Sequence, residues 1–397
     1  MKKKICCFLF LFIPLASSVL YAQDSLVVAP KNYKVAIFAP LYLDSVFSNY
    51  KLKSETAIPK FIMPGVEFVQ GAMIAFDTLS AANDHVEATI YDTKSYTQPI
   101  SWLIKNKLLD SIQLIIGAVK DVDYKELAEY SFYKNIPFIS ATYPNDGGVT
   151  GNPYLAIMNS TLKAHCEGIY SYILQDHGTE KILLIKKQGP QEDKITSYFK
   201  TLNEQEGKPL LKIQTINIDS TITPWFLKNR LDSNHNTVII GASLDEYFAK
   251  NLADAIFALR KTYPVTLIGM PNWDGFKSFT KKDAYKDFPI HFTSPYYNPK
   301  TGLFNTTLAN EYNRRFKSKP SDMACKGFES TYYFTKLLLK YPNDVLSHLN
   351  DSSLKVFNDF NFRPVYLKKT HNDIPDYLEN KHLYVIRIMN GIVSREW

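Results

Sequence analysis

Apolar runs alternate with helical periodicities along the chain from Tyr33 onward. Four runs have the length and composition of buried strands, and the segments between them carry apolar residues at a spacing close to 3.6. The runs are YKVAIFAPLY, VEATIYDT, SIQLIIGAV and IPFISAT. Continuous apolar strands that alternate with amphipathic helices are typical of a parallel sheet covered on both faces. This part of the chain is therefore predicted to form an α/β unit.

The same pattern restarts after NDGGVTGNP (145–153), the strongest turn cluster in the chain. Five more apolar strands alternate with helices in the second unit. Residues 303–344 then supply two further helices, which need a sheet to cover, so we expect them to return to the first unit. The chain would cross between the units more than once. The predicted lobes are 24–150 plus 294–350, and 152–290 plus 355–397.

The C-terminal part has a different pattern. The segments DFNFRPVYLKKT and HLYVIRIMNGIV alternate apolar and polar residues, which predicts strands of an antiparallel hairpin. We place this hairpin in the second lobe.

The first 22 residues have the features of a cleavable signal peptide. Three lysines (2–4) precede an apolar run, and Ala22 provides a small residue before Gln23. The run is shorter than the about 20 apolar residues of a membrane-spanning helix, and no later segment is long enough. Cys6 and Cys7 lie too early in the run for lipid attachment at a cleavage site. These features predict a soluble periplasmic protein with no membrane span in the mature chain.

Charge and cysteine content exclude several classes of function. The net charge is +7, and removal of the three leader lysines leaves +4. The charges are interspersed, so nothing indicates a nucleic-acid partner. Cys166 and Cys325 are far apart and lack the spacing of metal ligands, and we expect two separate buried thiols.

The sequence carries no recognisable catalytic constellation. It lacks G-x-S-x-G, H-E-x-x-H, a P-loop and G-x-G-x-x-G, and no two histidines stand three or four residues apart. We interpret the acidic residues near strand ends as solvated carboxylates in turns or at helix starts. We therefore predict a protein that is not an enzyme and needs no cofactor or metal.

Small, hydroxyl-bearing and aromatic residues follow the predicted strands at their carboxyl ends. In open α/β sheets, ligands bind in the crevice beyond these ends, although the same residue types also cap helices. The stretch IPFISATYP is an example, because a core strand there runs into two hydroxyls. The candidate ligand-binding residues are Tyr42, Gly117, Ala118, Lys120, Ser140, Ala141, Thr142, Asn159, Ser243, Trp273 and Tyr296.

The order and spacing of six segments resemble the type I periplasmic binding proteins, the branch with Leu/Ile/Val-binding proteins and receptor ligand-binding regions. The segments are YKVAIFAPL, PGVEFVQGAMIAFD, ATIYDTKS, LIIGAVKD with IPFISATYPND, YPVTLIGMPNWDGF and EYNRRFKSKPSDMACKGFESTYYF. The resemblance implies two Rossmann-like lobes with parallel sheets, joined by a hinge of three crossovers that closes on a ligand. It also implies that residues 117–120 and 140–142 hold an amino-acid head group.

This chain departs from the family pattern at Ala118, Val119 and Lys120, where relatives often carry proline and serine. Lys120 could pair with a ligand carboxylate, or it could be a solvated lysine at a helix start. Ser140 and Thr142 could bind a polar head group, or Ser140 could cap the turn at 144–146.

Two classes of function follow from these features. The first is a periplasmic solute-binding protein that delivers an amino acid or similar small polar solute to an ABC permease. The alternative is an envelope scaffold or regulator that keeps the fold but contacts another protein, since fold does not determine function. A cleft filled by bulky side chains such as Met158, Met270 and Trp273 would favour the alternative.

Overall fold

The computed structural model describes residues 32–49, 51–54, 58–205, 207–219, 221–367 and 374–397. The predicted signal peptide lies outside these residues. Within them, no helix combines the length and apolar character that crossing a bilayer would need.

The described residues form strands of two to seven residues. They are β1 (Tyr33–Ala39), β2 (Phe47–Ser48), β3 (Lys51–Leu52), β4 (Val86–Asp92), β5 (Leu114–Gly117), β6 (Phe138–Ser140), β7 (Leu155–Ile157), β8 (Lys181–Lys187), β9 (Glu204–Gln205), β10 (Lys208–Pro209), β11 (Ile213–Ile218), β12 (Thr237–Gly241), β13 (Val265–Ile268), β14 (Ile290–Ser294), β15 (Phe362–Val365), β16 (Tyr377–Asn380), β17 (Tyr384–Met389) and β18 (Ile392–Arg395).

The α-helices range from single turns to 19 residues. They are α1 (Leu43–Val46), α2 (Met63–Ala81), α3 (Ile100–Lys105), α4 (Asp121–Lys134), α5 (Leu162–Asp176), α6 (Pro190–Asn203), α7 (Pro224–Lys228), α8 (Glu246–Leu259), α9 (Lys277–Thr280), α10 (Leu303–Phe316) and α11 (Asp322–Lys340). Short 3₁₀ turns occupy Lys60–Ile62, Pro271–Gly275, Leu346–His348 and Ser352–Leu354.

The first sheet has the order β15-β16-β7-β6-β5-β1-β4, and all its pairs are parallel except β15 with β16. Successive residues of β1 point to opposite faces. Val35 and Ile37 pack in the cluster that includes Phe68 of α2 and Phe334 of α11. Ala36 and its neighbours on the other face pack against α3 and α4. Helices therefore cover both faces, and we call this assembly lobe I.

The second sheet has the order β11-β8-β12-β13-β14-β17-β18. Its first five strands are parallel, and β17 and β18 add antiparallel pairs at one edge. With its helices it forms one large core, and we call this assembly lobe II. Cys166 lies in that core, Cys325 lies in a cluster of lobe I, and both are free and buried.

The chain passes between the lobes three times: after β7, after β14 and after β16. The first and third crossings are tied together, because Ser160 Oγ donates to the Asn380 carbonyl at 2.6 Å and Thr161 N donates to Glu379 Oε1 at 2.7 Å. Lys381 adds ion pairs with Glu379 and with α5. These contacts link two of the three connections between the lobes.

Three strands lie in a different sheet from the one the sequence predicts. Strand β7, expected in the second lobe, pairs with β6 in lobe I. The hairpin prediction is wrong, because β15 pairs with β16 in lobe I while β17 pairs with β18 in lobe II. The turn cluster at 145–153 is therefore not the lobe boundary, since Asn152 N donates to the Asp376 carbonyl and holds it beside β16.

Helices α2 and α11 approach so closely that their backbones touch. A β-carbon added to Gly71 would lie 1.9 Å from the Ala324 carbonyl oxygen, and one added to Gly327 would lie 2.0 Å from the Phe68 carbonyl oxygen. Only glycine permits this separation. The contact fixes the position of α11, and with it the residues that α11 presents to lobe II.

Candidate functional site

A cleft of 440 Å³ opens where strand ends of the two sheets face one another. Lobe I supplies residues 143–145 and 159–160, which follow β6 and β7. Lobe II supplies Leu244 after β12 and Pro271, Asn272 and Asp274 after β13. Residues 293–296, at the second crossing, and Lys326 of α11 also line the cleft. This volume lies within the roughly 300 to 1,000 Å³ that is usual for small-molecule sites.

Lys326 is a partly buried lysine whose side-chain nitrogen has no counter-ion among the described residues. Its Nζ lies 4.2 Å from the centroid of the Tyr296 ring. No carboxylate oxygen of the described residues lies within 4.0 Å of it. Burial lowers the pKa of Lys326, and the carboxylates of Asp274 and Asp322 act in the opposite direction. An ammonium group that is desolvated without a partner is unfavourable, so it is well suited to bind an anion.

Asp274 presents the opposite charge from lobe II. It lies in the 3₁₀ turn after β13 and accepts no side-chain hydrogen bond from the described residues. Its carboxylate reaches solvent, yet enough protein surrounds it that desolvation raises its pKa, while the Lys326 charge and the Gly275 N–H lower it. The cleft thus has one charge of each sign, each from a different lobe.

Tyr296 connects the second crossing to lobe I. Its hydroxyl donates to the Ala141 carbonyl at 2.5 Å, and its ring lies under the Lys326 ammonium. Burial raises the pKa of Tyr296 well above its ordinary value, so it remains a protonated donor.

Neutral polar groups complete the lining. Asn159 Nδ2 donates to the Thr142 carbonyl at 2.7 Å, and Asn272 Nδ2 donates to the Leu244 carbonyl at 2.7 Å. The buried Oδ1 of Asn272 has no hydrogen-bond partner among the described residues. Burial lowers the pKa of His165 to about 3. That histidine is therefore neutral at ordinary pH.

Solved structures of ABC-transporter substrate-binding proteins are similar to this chain. A branched-chain amino acid periplasmic ligand-binding protein from Burkholderia xenovorans has 12% identity and a TM-score of 0.58, with 92% of this chain and 95% of that chain covered. A substrate-binding protein from Desulfitobacterium hafniense in complex with Leu has 11% identity and a TM-score of 0.55, with 92% and 100% covered. The LivJ protein from Streptococcus pneumoniae in complex with isoleucine has 16% identity and a TM-score of 0.50, with 92% and 99% covered.

This chain has the type I periplasmic binding fold. The predicted fold class and the family resemblance are confirmed at the level of fold. No protein-family model and no curated protein sequence matches the chain.

Of the predicted site residues, Asn159 and Tyr296 line the cleft of this periplasmic binding fold. Ala141 contributes its carbonyl to Tyr296, and Thr142 contributes its carbonyl to Asn159. Ser140 precedes Ala141 and is the last residue of β6. It is fully buried, and its hydroxyl has no hydrogen-bond partner among the described residues.

Four other predicted residues belong to lobe I and are not among the residues that line the cleft. Gly117 and Ala118 are buried at the end of β5. Lys120 is exposed, with its Nζ 3.9 Å from Asp121, as expected of a solvated lysine at the start of α4. Tyr42 has a left-handed φ of 55° and packs edge-on against Phe61.

Ser243 and Trp273 belong to the core of lobe II. Ser243 Oγ donates to Glu192 Oε1 at 2.6 Å, and the Trp273 indole N–H donates to the Ser243 carbonyl at 3.0 Å. Met158 and Met270 are also fully buried. The bulky side chains that could have filled the cleft therefore pack in the cores, and the cleft is open.

Sequence reasoning missed the two charged residues of the site. Asp274 lies in the segment YPVTLIGMPNWDGF, one residue beyond the strand end GMPNW on which the prediction rests. Lys326 lies in α11, in the run ACKGFES, where its neighbours Cys325, Gly327 and Phe328 are buried. A lysine inside an otherwise buried stretch is the signal that could have indicated it.

The buried hydroxyl of Ser140 leads to a stability prediction. Ser140→Ala should leave the free energy of unfolding unchanged or raise it by about 1 kcal/mol, because the variant no longer buries an unpaired polar group. Ser243→Ala is the matched comparison. It removes a hydrogen bond to the buried Glu192 carboxylate and should cost about 1.5 to 3 kcal/mol. Urea unfolding of both variants measures this, and equal losses would show that Ser140 has a hydrogen-bond role.

Proposed function

We propose that this protein is a periplasmic solute-binding protein that holds a small zwitterionic solute of the amino-acid type in its cleft and delivers it to an ABC permease. The observation that carries the proposal is the unpaired Lys326 ammonium facing the cleft. A solute carboxylate there would supply the missing counter-ion. The open cleft favours this role over the scaffold alternative, and the similar solved structures are those of solute-binding proteins.

The position of the charges supports a closing mechanism. Lys326 belongs to lobe I and Asp274 to lobe II, so a solute with a carboxylate and an ammonium group would contact both lobes at once. A ligand that interacts more favourably with one arrangement of the lobes shifts the population toward it. We propose that Asn159, Asn272 and Tyr296 orient the solute between these charges.

A thermal-shift screen tests the proposed function. The protein without the predicted leader is melted with each standard amino acid and a set of dipeptides. A solute at 100 times its dissociation constant should add about 2.7 kcal/mol to the unfolding free energy. If no zwitterionic solute stabilises the protein while a scaffold partner is found, the proposal is wrong.

Asp274 should make the affinity depend on pH. Its raised pKa means that it takes up a proton at a higher pH than an ordinary aspartate, and the neutral acid cannot pair with an ammonium group. Affinity is therefore complete above this pKa and falls as the pH drops through it. Asp274→Asn should weaken binding at neutral pH and abolish this acid-side fall, whereas Asp322→Asn should keep it. Calorimetric titrations between pH 4 and pH 8 measure this dependence. If the affinity of Asp274→Asn falls at acid pH as that of the parent protein does, Asp274 is not the group that binds the ammonium.

A further inference from the structure

A second chamber of 510 Å³ adjoins the cleft at Tyr296 and Lys326. Four residues line both spaces: Asp274, Ser294, Tyr296 and Lys326. The unpaired cation and the acid of the cleft therefore face the chamber as well. A solute bound at these charges could extend to either side of them.

The two spaces have different walls. The cleft is lined by side-chain amides and hydroxyls, including those of Asn159, Asn272 and Ser160. The chamber has an apolar wall built by one face of the antiparallel edge of lobe II. There Phe292 of β14 stands opposite Ile386 of β17, and Ile388 stands opposite Val393 of β18. Phe357 adds an apolar contact from lobe I.

The other face of the same strands is already occupied. Thr293 meets His165 of α5 at 2.8 Å, and His291 Nε2 pairs with Glu396 at 2.8 Å. Glu329, the buried acid of the chamber, is also satisfied, because it accepts hydrogen bonds from Phe357 N at 2.9 Å and from Asn358 N and Nδ2 at 2.6 Å. Lys300 and Asp322 also line the chamber but are exposed, and Lys326 and Asp274 are the charged residues that line both spaces.

We propose that the solute is a short peptide, a di- or tripeptide with an apolar residue, rather than a single amino acid. This inference rests on the proposed function. The carboxylate binds at Lys326 and the ammonium at Asp274, the apolar side chain occupies the chamber, and the rest of the peptide lies in the cleft beside Asn159 and Asn272. A single amino acid would leave one of the two spaces unfilled, and each space alone has the volume of a small-molecule site.

Calorimetry with defined probes tests the substrate class. The dipeptides Leu-Ala and Phe-Ser are compared with glycine, L-leucine and L-phenylalanine on the full mature protein. Each dipeptide should bind roughly 10- to 100-fold more tightly than glycine and than the free amino acid that has the same apolar side chain. Free leucine or phenylalanine binding as tightly as the dipeptides would overturn the peptide proposal while leaving the proposed function intact. Failure of all five probes would overturn the peptide proposal, and the proposed function is then decided by the full thermal-shift screen.

Variants of β18 locate the apolar group. Val393 lines the chamber and is 49% exposed, whereas its neighbour Ile392 points to the other face and is 68% exposed. Val393→Trp should fill the chamber and weaken Phe-Ser binding by about tenfold or more without affecting Gly-Gly. Ile392→Trp is the matched control and should change neither affinity. If Val393→Trp leaves Phe-Ser binding within twofold of the parent protein, the chamber does not hold the side chain.

Discussion

Lys326→Met should weaken binding of the tightest solute from the screen by roughly 30-fold or more, because loss of one partner of a buried charge pair costs at least about 2 kcal/mol. The melting temperature of the empty protein should stay the same or rise slightly. Burial lowers the pKa of Lys326, which means that folding disfavours its charged form, and methionine keeps the apolar stem. Loss of affinity without loss of stability is the signature of a residue that serves the ligand.

Lys319→Met is the control for this prediction. Lys319 is exposed in the loop before α11, so the variant removes the same charge near the same helix. Its affinity should stay within twofold of the parent protein at moderate ionic strength, since exposed charges are screened by salt. Equal effects of the two variants would mean that only the general field of the protein attracts the solute, and the assignment of Lys326 would be wrong.

Gly327→Ala should lower the free energy of unfolding by about 3 kcal/mol or more, at the upper end of the cost of overpacking. The added β-carbon would lie 2.0 Å from the Phe68 carbonyl oxygen, and a backbone atom can move away only if α2 and α11 separate. Urea unfolding measures the loss directly.

Gly275→Ala is the matched control for the helix contact. A β-carbon at Gly275 would meet no atom within 4 Å, and its backbone is not in the left-handed region. This variant should change stability by less than about 0.5 kcal/mol, as is usual for surface substitutions. Near-equal stabilities of the two variants would contradict the close approach of α2 and α11.

The elements and the fold class could be predicted because both depend on local patterns. The run YKVAIFAPLY predicts β1, and the structure has a strand at Tyr33–Ala39. The periodicity of PGVEFVQGAMIAFDTLSA predicts α2, found at Met63–Ala81. The sheet to which each strand belongs was harder to predict. Strand β7 lies in lobe I between β6 and β16, and its pairing with β16 joins residues more than two hundred positions apart, which no local pattern encodes.

The site was predictable only in part for a related reason. The rule that ligands bind beyond strand ends located the cleft, since Asn159 and Tyr296 line it. The rule could not show which residue at a strand end reaches the cleft and which is still buried, and Ser140 is fully buried in the core. It also could not find Lys326, because that side chain reaches the cleft from a helix. Its exposure to lobe II depends on the glycine contact between α2 and α11.

A crystal structure of the protein with its tightest-binding solute tests the central claim most directly. We expect a carboxylate oxygen of the solute about 2.7 to 2.9 Å from Lys326 Nζ, the distance of a charge-assisted hydrogen bond, with an amine of the solute at Asp274. A solute bound in the cleft with its carboxylate on other groups, and Lys326 still without an anionic partner, would contradict the account.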